Sequence, residues 1–145
     1  LQQYQVDPQR VIFELTETAS LSNLSATRRM VSEISEMGCS FSIDDFGTGF
    51  STFTYLKNLP ADTVKIDGSF VRELTNNSID LALVKAIREV ANALDKSTVA
   101  EFVEDQETLT LLKDIRVEYA QGYFLGRPKP IEQLEYYPRT KKAGV

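Results

Sequence analysis

The residues best suited to chemistry in this sequence are polar side chains that follow short apolar runs. Five such runs are predicted β-strands, and each has a polar residue at its carboxyl end. In parallel α/β folds, ligand sites gather at the carboxyl ends of the strands. Carboxylates gathered there repel one another unless a cation or a proton compensates, so the pattern favours a metal-dependent site. In chain order the residues are Glu14 and Glu17, Asp44 and Asp45, Asp67, Glu101 and Glu104, and Gln121.

The absence of histidine limits the chemistry that this sequence can support. It removes the commonest general base, the Ser-His-Asp and Cys-His arrangements, and every zinc site built on histidine. Carboxylates, lysine, tyrosine or hydroxyl groups must then carry any catalysis, with Mg²⁺ or Mn²⁺ as the natural partner of oxygen ligands. The structural alternative stays open, because a single carboxylate at a strand end is commonly a helix cap or a solvated loop residue.

Lys65 lies inside a predicted strand, where a lysine is costly to bury unless it is paired. One interpretation is a structural salt bridge to Asp45 or Asp67. The functional interpretation is a cation close to a phosphate or to a metal-bound water.

The segment 44–53, DDFGTGFSTF, combines two adjacent acids with two glycines that permit positive φ or a close backbone approach. A G-x-G pattern alone is a weak phosphate signal, so a plain turn is the alternative. The hydroxyl residues Ser51, Thr52 and Thr54 are predicted caps of a following helix.

Strand and helix patterns alternate along the chain and would position these side chains. The predicted strands are 11–13, 40–43, 63–66, 97–100 and 119–120. The predicted helices are 26–37, 78–94 and 106–115. The first has Met30, Val31, Ile34 and Met37 on one face, the second has an apolar set at helical spacing that includes Ile79 and Leu83, and the third is expected to turn Leu109, Leu112 and Ile115 inward. The alternation predicts right-handed βαβ units and one parallel sheet.

Composition indicates one domain of ordinary size, with 145 residues, 42% of them hydrophobic, and a net charge of −5. No apolar run approaches the roughly 20 residues of a membrane span. The sequence has no cluster of Lys and Arg that could bind the phosphate backbone of a nucleic-acid polymer. The single cysteine, Cys39, excludes an intramolecular disulfide, has a predicted packing role and fits a reducing cytoplasm. Five C-terminal aromatic residues are predicted to pack in the core and at its rim: Tyr119, Tyr123, Phe124, Tyr136 and Tyr137.

Six short segments follow one another with a characteristic order and spacing over about residues 10 to 135. They are ELTE (14–17), DDFGTGFS (44–51), KID-x-SF (65–70), AEFVE (100–104), QGY (121–123) and RPKP (127–130). Together they resemble the EAL-domain phosphodiesterases of bacterial cyclic-di-GMP signalling. The resemblance implies an α/β fold, a partial TIM-type (β/α) barrel with about five parallel strands and intervening helices. It also implies hydrolysis of cyclic-di-GMP to linear pGpG, with two Mg²⁺ or Mn²⁺ ions that activate a water.

The same resemblance assigns roles by matching position. The implied metal ligands are Glu14, Asp44, Asp45, Glu101 and Gln121. The implied catalytic residues are Lys65, which holds the nucleophilic water or the phosphate, Glu101, which also acts as a base, and Asp45. Glu17 is the expected anchor of the 44–53 loop, which the family uses for dimer contact and substrate binding. The residues expected in this loop or behind the ligands are Glu17, Asp67, Glu104, Gly47, Thr48 and Gly49.

Two departures from the family pattern matter. Phe102 stands where the family usually has glycine, and its ring is expected to point into packing. In the family, three strands precede the ELTE segment and carry the EAL signature, whose Glu is a metal ligand, and an Asn ligand; none of this lies within the 145 residues. Five strands cannot close an eight-stranded barrel. We therefore expect a fragment of a longer protein, or a sheet completed by another chain as in a homodimer, with little or no turnover by this chain alone.

Three functions remain open at this point. The parent domain is an active phosphodiesterase, a catalytically inactive cyclic-di-GMP receptor, or a module that binds a protein through its open sheet edge. Residues 1–138 are the expected C-terminal part of an EAL domain, and 139–145 are the expected polar tail. Sensor or cyclase domains can precede the domain in the parent. The expected location is the cytoplasm, which includes the cytoplasmic part of a membrane-anchored parent.

Overall fold

The computed structural model describes residues 1–21, 23–48 and 53–133, and within these ranges five strands alternate with six α-helices. The strands are β1 (Ile12–Thr16), β2 (Ser40–Phe46), β3 (Thr63–Ile66), β4 (Ser97–Ala100) and β5 (Tyr119–Ala120). The helices are α1 (Glu17–Leu21), α2 (Leu24–Glu36), α3 (Phe53–Asn58), α4 (Gly68–Val71), α5 (Ser78–Ala93) and α6 (Gln106–Asp114). Short 3₁₀ turns lie at Gln2–Tyr4, Pro8–Arg10 and Ile131–Gln133. No helix in the described ranges has the length and apolar character needed to cross a membrane.

The five strands form one sheet in the order β1-β2-β3-β4-β5, and every neighbouring pair is parallel. Thr16 lies opposite Asp44, and Ile66 lies opposite Ala100, so the strands end at nearly the same level. The predicted parallel α/β sheet is confirmed. Its topology brings the polar strand ends of the sequence to a single edge of the sheet.

Side chains alternate across the sheet and divide it into an apolar face and a polar face. Phe41 and Ile43 of β2 are buried on the apolar face, whereas Ser42 between them belongs to the other face. Helices cover the apolar face, and the core forms between the two layers. Its buried members include Val31, Phe41, Ile43, Val64, Ile66, Val84, Ile87 and Leu112. Cys39 is buried, in agreement with its predicted packing role.

The two long helices bury less of their apolar surface than their periodicity predicts. In α2, Val31 is fully buried, but Met37 is 57% exposed just beyond the helix and Met30 is also exposed. In α5, Ile79 is 68% exposed and Leu83 is exposed as well. These four residues therefore belong to the apolar sets that the periodicity defines but lie outside their buried parts.

The C-terminal aromatic residues also lie outside the core. Tyr119, Tyr123 and Phe124 are exposed, so they do not pack in the core, and a place at its rim remains the prediction for them. Tyr119 belongs to β5, the last strand of the sheet, where no further described strand covers it. Tyr136 and Tyr137 lie outside the described residues.

Helix ends follow the capping rules. The side chain of Asn77 accepts hydrogen bonds from the backbone N–H groups of Ile79 and Asp80 at the start of α5. Asp105 caps α6 in the same manner. Gly38 follows α2 with a φ of +93°, a left-handed conformation that glycine adopts without a steric penalty.

Glu118 ties the start of β4 to the segment before β5, and its charge supports that contact. Its Oε2 accepts hydrogen bonds from the backbone N–H of Thr98, at 2.8 Å, and from the Thr98 hydroxyl. Burial by itself would raise the pKa of Glu118, but the Thr98 hydrogen bonds outweigh it and lower the pKa. A carboxyl group with a lowered pKa stabilises the fold above its unfolded pKa, and this stabilisation is lost as the pH falls through the folded pKa.

We therefore expect Glu118→Gln to lower the free energy of unfolding by about 1 kcal/mol at about pH 7. The difference from wild type should shrink between about pH 5 and pH 3, where the carboxylate takes up its proton. Thermal unfolding across this range measures the effect, with the exposed Glu33→Gln as a matched control. A difference that stays constant with pH would show that the charge of Glu118 contributes nothing.

Candidate metal and active site

A buried ammonium group lies at the centre of the polar sheet edge. The Nζ atom of Lys65 is 3.2 Å from Glu14 Oε2, 2.8 Å from Asp44 Oδ1 and 2.9 Å from Glu101 Oε1. The three acids come from β1, β2 and the residue after β4, and Lys65 comes from β3 between them. The predicted structural salt bridge of Lys65 to Asp45 or Asp67 is wrong in its partners, because the sheet register brings other carboxylates to the ammonium.

Three carboxylates beside this ammonium have the geometry of a metal-ligand set. Asp44, Asp45 and Glu101 each offer an oxygen, and these oxygens all lie within 4.8 Å of one another. An all-oxygen donor set of this size fits Mg²⁺ or Mn²⁺. Glu14 contacts the Lys65 ammonium and is not a member of this triad among the described residues. Gln121 lies near Glu101, and both residues line a cleft beside the triad.

A local irregularity of β2 lets two adjacent acids serve one site. In a regular strand, Asp44 and Asp45 would point to opposite faces of the sheet. The pairing of β2 with β3 shifts register between Ile43 and Phe46, and Asp45 has a φ of +53°. Such a bulge re-aims one side chain and brings the Asp45 carboxylate round to the face that Asp44 occupies. The adjacent acids in the sequence give no sign of this turn.

The charges of the site oppose one another. Burial raises the pKa of Glu101, and the Lys65 ammonium acts against that rise. The pKa of Asp45 is raised by burial and by the charges of Asp44 and Asp67. Burial alone would lower the pKa of Lys65, but its hydrogen bonds with Asp44, Glu101 and Glu14 outweigh this and raise it, so the ammonium keeps its proton. Four carboxylates thus surround one fixed cation, which leaves negative charge for a further cation to neutralise.

Glu17 connects the ends of β1 and β2. Its side chain is fully buried, and its Oε2 accepts a hydrogen bond of 2.9 Å from the backbone N–H of Gly47. Gly47 has a φ of +105°, and a Cβ there would lie 2.7 Å from the Phe70 ring. Thr48 donates its hydroxyl to the Asp45 carbonyl at 3.0 Å, which closes the turn after β2. Gly49, Ser51 and Thr52 lie outside the described residues, and Thr54 lies within α3.

We expect Glu17→Ala to loosen the turn after β2, because the Gly47 N–H loses a buried acceptor. Hydrogen exchange of the Gly47 amide should accelerate by about tenfold to a hundredfold. Glu17→Gln keeps an acceptor oxygen and should retain most of the protection. Equal exchange rates in wild type and Glu17→Ala would contradict an anchoring contact.

Two further predicted site residues lie at the margin of the cluster. Asp67 caps α4 by accepting a hydrogen bond of 2.8 Å from the Ser69 N–H, which is the structural alternative for a carboxylate at a strand end. Glu104 is exposed and lines a cleft of about 200 Å³ beside Glu101. The other lining residues are Phe102, Gln121, Gly122 and Tyr123.

Phe102 and its neighbours show what the sequence did not reveal about this edge. The ring is 45% exposed and packs against Gly68 rather than in the core. The guanidinium of Arg72 lies 4.2 Å from its centroid, a contact that no spacing pattern indicated. A glycine directly after the strand-end Asp67 was the only signal of a close approach at this point.

Comparisons with known proteins identify the family. A model of the EAL domain matches residues 1–128. The cyclic di-GMP phosphodiesterase PdeB of Shewanella oneidensis is 45% identical over 136 residues, which cover 91% of this chain and 16% of that protein. The chain spans 16% to 22% of the length of the curated relatives that it matches.

Solved structures agree with this match. The PaMucR phosphodiesterase in complex with c-di-GMP has a TM-score of 0.87 and 40% identity, over 92% of this chain and 54% of that one. The manganese/cy-diGMP complex of Klebsiella pneumoniae BlrP1 has a TM-score of 0.83 and 28% identity, over 88% and 33%. EAL structures of this kind have a TIM-barrel fold, and the five-stranded sheet corresponds to part of it. The chain belongs to the EAL domain family.

Proposed function

We propose that the domain to which this chain contributes hydrolyses cyclic-di-GMP to linear pGpG with the help of two Mg²⁺ or Mn²⁺ ions. The observation that carries the proposal is the triad of Asp44, Asp45 and Glu101 beside the Lys65 ammonium. Relatives named cyclic di-GMP phosphodiesterases and a neighbour bound to manganese and the cyclic dinucleotide support it.

The arrangement suits attack on a phosphodiester, which is anionic and resists nucleophiles. Bound divalent cations would neutralise the diester and lower the pKa of the attacking water. Asp44, Asp45 and Glu101 hold oxygens in position for these ions, with Glu14 and Gln121 as further ligands. Lys65 keeps its proton on Nζ and so remains a fixed positive charge that orients the carboxylates and the phosphate. Glu101, whose carboxylate lies beside the Lys65 ammonium, would also act as the base that accepts the proton of the water.

The remaining residues would support these groups. Glu17 holds the turn at Gly47 and Thr48, and we assign the segment 47–49 to substrate binding and dimer contact. Asp67 and Glu104 would act behind the ligands, Asp67 through its cap on α4 and Glu104 through the cleft beside Glu101.

The assembly around the site completes the proposal. Ile12 on β1 and Tyr119 on β5 are both 61% exposed at the two outer strands of the described sheet. We propose that further strands of the same domain, or a second copy in a homodimer, cover these edges. Residues 1–138 would then be the C-terminal part of the EAL domain and 139–145 a polar tail, in a cytoplasmic protein that sensor or cyclase domains can precede.

The test is hydrolysis of cyclic-di-GMP with Mn²⁺, measured as pGpG by chromatography, in the full-length protein and in the 145-residue chain. We expect turnover in the full-length protein, loss in Glu101→Ala, and little or none in the chain alone. Turnover by the chain alone that disappears in Glu101→Ala would show that a second copy supplies the remaining ligands or that they are dispensable. Tight binding without turnover in the full-length protein would replace the enzyme with a receptor.

A further inference from the structure

Phe102 adopts a backbone conformation that a phenylalanine rarely adopts. Its φ is +53°, in the left-handed region that favours glycine, and it directly follows Glu101 of the metal-ligand triad. A strained residue persists only where its surroundings hold it, and such residues concentrate at functional sites. The contacts that hold Phe102 therefore bear on the position of Glu101.

The left-handed step at Phe102 separates two side chains that a regular strand would place on one face. The Glu101 N–H donates to the Ile66 carbonyl at 3.2 Å, and its carboxylate faces Lys65. The Val103 N–H donates to the Gln121 carbonyl at 3.0 Å, and its side chain is fully buried in the core. The direction of the Glu101 side chain thus depends on the backbone turn that Phe102 makes.

The ring of Phe102 lies directly on the backbone of Gly68, the first residue of α4. A Cβ at Gly68 would lie 2.1 Å from Phe102 Cδ2, 2.6 Å from Cγ and 2.9 Å from Cβ. Because the contact includes the Cβ of Phe102, rotating the ring cannot relieve such an overlap. Arg72, the residue directly after α4, adds a cation–π contact at 4.2 Å. The segment after β4 is thereby seated on the segment after β3, three residues beyond Lys65.

We propose that Phe102 is a positioning residue whose seat on Gly68 and Arg72 holds the Glu101 carboxylate in place for the metal ions. This inference deepens the proposed function and rests on it for the identity of Glu101 as a ligand. It predicts a size relationship between positions 68 and 102: a large side chain at 102 requires glycine at 68, and loss of the ring removes that requirement.

A double-mutant cycle on the full-length protein tests the relationship, with binding of Mn²⁺ alone measured by electron paramagnetic resonance. Gly68→Ala should weaken Mn²⁺ binding by about tenfold, because the added methyl displaces the Phe102 ring and with it Glu101. Phe102→Ala keeps the left-handed strain but loses the ring, so it should weaken Mn²⁺ binding to a similar extent. Phe102→Tyr keeps the ring and Phe102→Gly removes the strain, so both should bind Mn²⁺ near the wild-type level. In the Phe102→Gly background, Gly68→Ala should cause no loss, since the methyl then meets no ring and φ at Gly68 lies outside the left-handed region.

The chain also offers a matched pair of arginine–aromatic contacts. The second contact joins Arg127 and Tyr123, whose ring centroid lies 4.4 Å from the guanidinium carbon. Arg72→Gln should weaken Mn²⁺ binding by about threefold, and Arg127→Gln should leave it unchanged.

Each outcome separates the positioning role from the proposed function. Mn²⁺ binding that follows the cycle in a protein without cyclic-di-GMP turnover supports the positioning role and overturns the proposed enzyme. Turnover with Mn²⁺ binding that is indifferent to Phe102→Ala, or a loss from Gly68→Ala that persists in the Phe102→Gly background, overturns the positioning role alone. A wild-type protein that binds no Mn²⁺ overturns both.

Discussion

Lys65→Met is expected to destabilise the metal-free protein by about 2 to 3 kcal/mol and to reduce turnover by about a thousandfold or more. Lys65 is 6% exposed and pairs with three carboxylates, so its removal leaves buried negative charges without a partner. The Glu14 side chain is half exposed, and its share of the loss is therefore screened by solvent. The raised pKa of Lys65 means that the stabilisation is present below its usual value of 10.5 and is lost only as the pH rises through the folded pKa.

Added Mn²⁺ separates the two effects of this substitution. A divalent cation binds the uncompensated carboxylates and should recover much of the lost stability, while turnover stays low because the fixed ammonium is missing. Thermal unfolding with and without Mn²⁺, together with pGpG formation, measures both. Lys85→Met, at an exposed lysine of α5, is the matched control. If Lys65→Met unfolds like the wild type without metal, the ion cluster is not a source of stability.

Glu101→Gln is expected to reduce kcat by about a thousandfold and to weaken Mn²⁺ binding by at least tenfold, with little change in the stability of the metal-free protein. The amide removes a ligand charge and a proton acceptor, but Lys65 keeps Asp44 and Glu14 as partners. The repulsion between Glu101 and the two aspartates, which raises the pKa of Glu101, also disappears. The expected effect is therefore on function rather than on folding.

Glu33→Gln provides the comparison for this second prediction, because Glu33 is an exposed acid on α2 at a distance from the site. Kinetics with cyclic-di-GMP and a direct Mn²⁺ titration should leave Glu33→Gln at wild-type values. A Glu101→Gln protein that retains both kcat and Mn²⁺ affinity would remove Glu101 from the site. A loss of folding in the metal-free state would instead make Glu101 a structural partner of Lys65.

Local patterns were sufficient for most of the architecture. All five strands and the helices α2, α5 and α6 were predicted, since apolar periodicity and caps such as Asn77 are properties of neighbouring residues. Helices α1 and α4 were not predicted, and α3 was predicted only as the helix that follows the hydroxyl residues of the 44–53 segment. Helices of four to six residues show too few turns for a period to emerge, and tertiary contacts hold them in place.

The placement of acids at strand ends was likewise readable in the chain, because parallel strands must end at one edge of the sheet. The sequence did not indicate which of these acids contact one another or contact Lys65. Lys65 was assigned to Asp45 or Asp67, its neighbours in the motifs, whereas register and side-chain alternation bring it to Glu14, Asp44 and Glu101. Pairing across strands is a long-range property that no local spacing encodes.

The order and spacing of residue types were thus sufficient to predict the family, the parallel sheet and the set of possible metal ligands. The folded chain was needed for the bulge that turns Asp45 toward Asp44, for the left-handed step at Phe102, and for the exposure of Met37 and Ile79. The physical reason is the same in each case. A residue's type and its close neighbours set which conformations are accessible, but contacts between segments far apart in sequence decide which of them the molecule adopts.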